Sequence, residues 1–100
     1  MTKLFYLTAL GDHSAAIDKA VMRAAKRKVL DVFPIEPGKW WLASPNQHPL
    51  HVAQDMRLKQ TKAAPCYLIL EVGLVTGWLD ESASDTFLKW ALKRNVVGII

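Results

Sequence analysis

Three side chains near the middle of the chain have the types and spacing to hold a divalent metal. His48, His51 and Asp55 lie three and four residues apart. On a helix they would share one face, and neutral imidazoles with a carboxylate are ligands for zinc and related ions. Pro49 interrupts the set, and a structural zinc takes a fourth ligand. Histidines at a helix start are far more often simply solvated polar groups, so no metal is assigned. Asp12, with His13 beside it, follows the first apolar run. A carboxylate at a strand end could bind metal, but capping the next helix is its ordinary use. Cys66 opens a later apolar run with no cation or histidine close in sequence to activate it, which reads as a core thiol. Glu71 lies among Leu, Ile and Val. A carboxylate buried there without a partner is costly, so an edge position or a subunit contact is expected. No catalytic residue and no cofactor are assigned.

Charge offers a second kind of chemistry. Lys19, Arg23, Lys26 and Arg27 recur at i, i+4, i+7 and i+8, so they project from one side of a helix and could track phosphates. A solvated amphipathic face is the plain alternative. No aromatic residue interleaves with them, which argues against stacking on single-stranded bases. Lys28 extends the set, and Arg57, Lys59 and Lys62 form a second scatter. The formal charge of +4 and pI near 9.4 permit nucleic-acid contact without requiring it.

These side chains must be carried by secondary structure that the apolar pattern predicts. Leu4 to Leu10 reads as a buried first strand ending at Gly11-Asp12. Ile17, Ala20, Val21, Ala24 and Ala25 mark one face of a helix capped by Asp12 or Ser14. Residues 29–43 read as a hairpin whose Pro37-Gly38 suits a type II turn. Pro34 belongs at a strand end, an edge or a bulge. A second helix is expected from Pro49, with Val52, Ala53 and Met56 inward, and a loop from Lys59 to Pro65. Cys66 to Val72 reads as a central strand covered on one face by helices. A short strand at 76–79 and a helix through Ala83, Phe87, Trp90 and Ala91 follow. The fold class is α+β: a ferredoxin-like βαββαβ sandwich with an added C-terminal helix, filling residues 1–100 as one domain.

Length and composition bound the function. One hundred residues with 51% apolar and 22% charged side chains make one globular core. The lone cysteine allows no intrachain disulfide and fits a reducing compartment. The seven-residue apolar run at the N-terminus is too short to span a bilayer. The expected location is the cytoplasm, with no membrane partner.

The segment Val96-Val97-Gly98-Ile99-Ile100 has strong β character, so it should dock on a sheet edge of its own subunit or of a second one. A homodimer is expected, with Trp40, Trp41, Val97 and Ile99 at the interface and Trp78 as a further aromatic contact. Gly38-Lys39-Trp40-Trp41-Leu42, Tyr67 to Gly73, Gly77-Trp78-Leu79 and Phe87-Leu88-Lys89-Trp90 together resemble small ferredoxin-like proteins related to the CRISPR-associated endonuclease-like small subunit, often carried on mobile elements. The resemblance implies homodimers formed through the sheets, and either metal-dependent nucleases or nucleic-acid-binding scaffolds. Nuclease-type members carry an acid within the end of strand one. Here Leu7-Thr8-Ala9-Leu10 lacks one, and the first acid is Asp12. The reading is therefore a small homodimeric, non-enzymatic binding or scaffold protein whose partner is nucleic acid or protein. Its alternative is a divalent-metal nuclease using Asp12.

Overall fold

The structure, a computed structural model, describes residues 2–45, 48–73 and 89–91. Its elements run β1 (Lys3–Ala9), α1 (Ser14–Lys26), β2 (Asp31–Glu36), β3 (Lys39–Ser44), α2 (Pro49–Asp55) and β4 (Tyr67–Val72). The strands form one antiparallel sheet in the order β2-β3-β1-β4. Among the described residues, no helix is long and apolar enough to cross a membrane.

Strand alternation sorts the side chains between two faces. Phe5, Leu7, Trp40 and Leu42 point to the face covered by α1 and α2, where they pack with Ile17, Val21, Ala24, Val52, Ala53 and Met56. Their apolar burial is the main source of stability for the α-on-β layer. On the opposite face Leu4 and Ala43 pack against Ala91, which belongs to the helical residues 89–91. Phe33 and Trp90 meet there with ring centroids 5.6 Å apart. A row across all four strands, Phe33, Trp41, Tyr6 and Leu70, follows from the register.

The hairpin forms as its turn residues require. Gly38 has φ +82°, the left-handed value of the third residue of a type II turn. Pro34 sits on an edge strand beside a register irregularity between Pro34 and Glu36, where a missing N–H does least harm. α2 starts at Pro49, whose fixed φ suits a first helical position.

Three expectations are corrected. Among the described residues Cys66–Val72 leads into and forms an edge strand, not a central one: β4 pairs with β1 alone there, and Leu68 and Leu70, which the register puts on the face away from α1 and α2, are half exposed. Cys66 is exposed, not a core thiol, because it precedes that edge strand. The N-cap of α1 is His13, without a side-chain cap bond, in place of Asp12 or Ser14. The tight Gly11-Asp12 turn, with Gly11 at φ +61°, is complete before the helix begins. The predicted strand at 76–79, Trp78, Phe87 and the tail with Val97 and Ile99 lie outside the described residues.

Candidate functional site

The cations of α1 are held on a rigid platform. Ile17, Val21 and Ala24 are fully buried against the sheet, so the opposite side of the helix must face water. Lys19, Arg23 and Lys26 are exposed there. The ion pairs Lys3–Glu71 and Lys39–Glu36, both 2.7 Å long, draw on none of them.

Arg27 behaves differently. Its Nη2 donates to the backbone carbonyl of Asp55 at 2.7 Å, and its Nε is buried without a hydrogen-bond partner. That carbonyl belongs to the last turn of α2, where helix oxygens lack intrahelical donors. A guanidinium there satisfies one of them and complements the negative end of the helix dipole. The bond joins the C-terminal end of α1 to that of α2.

Both helices stop in the same way. Lys28 N–H donates to Ala25 O and Val29 N–H to Ala24 O; Arg57 N–H donates to Gln54 O and Leu58 N–H to Ala53 O. These are two Schellman motifs, in which the residue after the C-cap must be left-handed. Lys28 has φ 60° and Arg57 φ 57°. Glycine is usual at that position because it lacks the Cβ that crowds the backbone. Each helix instead carries an exposed cation.

The metal-type residues are not brought together. His48 is the N-cap of α2 with extended backbone, and its Nδ1 accepts Leu50 N–H at 3.0 Å. Pro49 at the first helical position places His48 outside the helical face that would align it with His51 and Asp55. The two imidazoles lie 5.7 Å apart, tilted by 50°. Asp12 is exposed in its turn. No group of three His, Cys, Asp or Glu able to hold a metal occurs among the described residues.

Of the interface aromatics, Trp40 points into the core, with 8% of its surface exposed. Trp41 lies on the opposite face, its ring edge-on to Tyr6 at 5.4 Å. Glu71 sits at the sheet edge as expected and accepts a charged hydrogen bond from Lys3 Nζ. Beside the same edge, a cavity of about 690 Å³ opens between the first turn of α2 and the start of β4, lined by Leu10, Leu50, Lys62, Cys66 and Leu68 among others.

Asp18 was not a sequence candidate. Its Oδ1 accepts both Gly38 N–H at 2.9 Å and Trp40 Nε1–H at 2.8 Å. An acid on a basic helix gives no sign of this, because its partners are twenty or more residues away. For Lys28 and Arg57 a signal exists: each is the fourth residue after a buried alanine of its helix, where a left-handed terminus is due.

Comparison of the chain with family models, curated proteins and solved structures gives no match.

Proposed function

We propose that this protein is a small, homodimeric, non-enzymatic binding or scaffold domain of ferredoxin-like fold, acting in the cytoplasm on nucleic acid. The strand order β2-β3-β1-β4 with helical connections after β1 and β3 supports the fold, with residues 89–91 as part of the added C-terminal helix. The observation that carries the function is the outer side of α1. Lys19, Arg23 and Lys26 face water from a helix whose inner side is locked into the core, so their charge is displayed at fixed spacing. Such a row releases counterions when it meets phosphates. The resemblance to CRISPR-associated small subunits and mobile-element proteins points the same way.

Self-association has separate support. β4 offers a free edge among the described residues, with Leu68 and Leu70 exposed. Lysine and proline, which commonly protect such edges, are absent from Tyr67–Val72. A second copy docking there would cover it.

The test is fluorescence anisotropy with labelled DNA and RNA, single- and double-stranded, over a range of salt. Wild-type binding should weaken steeply with salt, and Lys19→Ala/Arg23→Ala/Lys26→Ala should lose most of it. Binding indifferent to salt and to these changes would redirect the assignment to a protein partner. Substrate cleavage abolished both by chelator and by Asp12→Ala would establish the nuclease alternative instead.

A further inference from the structure

We infer that the corner where α1 and α2 end is the phosphate-contacting centre of the basic surface, with Lys28 and Arg57 as direct contacts and Arg27 positioning them. This rests on the nucleic-acid reading above and narrows it to particular residues. Lys28 and Arg57 both occupy the left-handed position that a Schellman motif reserves for glycine. Complementing the helix dipole does not account for them: α1 already has Arg23 and Lys26 in its last turn, and the end of α2, which has no basic residue in its own last turn, is served by Arg27, in each case without a left-handed backbone at the cation. Strain retained at two equivalent positions is a mark of use.

The corner is organised as well as charged. Arg27, fixed by its bond to Asp55 O, ties the two helix ends together. Arg23 and Lys26 of α1, with Lys28 just past its end, are thereby tied to the helix end that Arg57 follows. Five cations, Arg23, Lys26, Arg27, Lys28 and Arg57, stand against the single carboxylate of Asp55 in these two helix ends. Arg23, Lys26, Lys28 and Arg57 are all exposed. No Phe, Tyr or Trp lies in either helix or its terminal turn, and the His48–His51 ring pair lies at the opposite, N-terminal end of α2, so base stacking has no aromatic platform at this corner. The ligand chemistry is the sugar–phosphate backbone of a duplex, contacted without reading sequence.

Glycine substitution tests this directly, because Lys28→Gly/Arg57→Gly removes both charges while relieving the backbone. The probe is a fluorescein-labelled DNA duplex of about 20 base pairs, titrated at several salt concentrations, with thermal unfolding measured in parallel. The double variant should melt above wild type yet bind about ten-fold or more weakly. Its slope of log K against log salt should fall by about 1.8, corresponding to two lost phosphate contacts. Arg27→Gln should also weaken binding but keep the wild-type slope, since it removes no contact. If Lys28→Gly/Arg57→Gly binds like wild type while Lys19→Ala/Arg23→Ala/Lys26→Ala does not, the corner is wrong and the basic-face reading stands. If wild type binds no duplex, or binds only phosphatidylserine vesicles, both fall.

Discussion

The carboxylate of Asp18 accepts the indole N–H of Trp40 at 2.8 Å, and the same oxygen holds the backbone N–H of Gly38. One side chain of α1 thus satisfies the polar atom of a core tryptophan and fixes the turn of the β2–β3 hairpin. The helix that displays the basic face is registered against the sheet through this contact.

Removing the acceptor strands a donor in a site that is nearly closed to water. Asp18→Ala should lower stability by about 2–3 kcal/mol, and Asp18→Asn, which keeps an oxygen, by about 1 kcal/mol. Urea unfolding measures both. A double-mutant cycle with Trp40→Phe should give a coupling of about 1 kcal/mol or more. Additive losses would show that the bond carries no energy.

Gly38 is confined from three directions. Its N–H is held by Asp18, its carbonyl accepts Ala9 N–H at 2.7 Å, and a Cβ would fall 2.6 Å from Ser14 Oγ. Gly38→Ala adds that clash to a left-handed backbone. The expected loss is about 2 kcal/mol or more, read as a lower urea midpoint. Ser14→Ala in the same chain should recover part of it, leaving the backbone component.

The open edge of β4 can be closed with charge at little cost to folding. Leu68 and Leu70 are 49% and 53% exposed, so Leu68→Lys/Leu70→Lys should change stability by no more than about 0.5 kcal/mol per site. Light scattering should move from dimer to monomer. A variant that stays dimeric at high protein concentration would place the interface elsewhere.

Lys39 carries a predicted alkaline signature. Its hydrogen bond to the Glu36 carboxylate, then the charge of Glu36 and of Tyr6, raise its pKa above the ordinary 10.5. A raised folded-state value means the contact stabilises the fold fully below the unfolded pKa. That contribution is lost as pH rises through the higher folded value. NMR titration should show Lys39 deprotonating above an exposed lysine, and Glu36→Gln should bring it back down. The side chain is well solvated, so the effect on global stability should be small.

The periodic segments were legible in the sequence for local reasons. The apolar spacing of Ile17, Val21 and Ala24, the Pro37-Gly38 turn, and Pro49 at a helix start each act within a few residues, and each forms where expected. Lateral position was not legible. β1 and β4 are both nearly continuous apolar runs, yet β1 lies between two strands and β4 has one neighbour among the described residues. Burial depends on what the chain places alongside, and composition alone carries no record of that. The expectation of a core thiol at Cys66 fails for this reason.

The same division runs through the candidate site. That α1 is basic on its outer side follows from the residues alone, because helical periodicity sets which of them turn away from an apolar face. That Arg27 is tied to Asp55, linking the ends of α1 and α2, depends on packing, since the bond joins residues 28 positions apart. A helix can set its own faces through its pitch, but it meets another helix only where packing on a shared sheet brings them together.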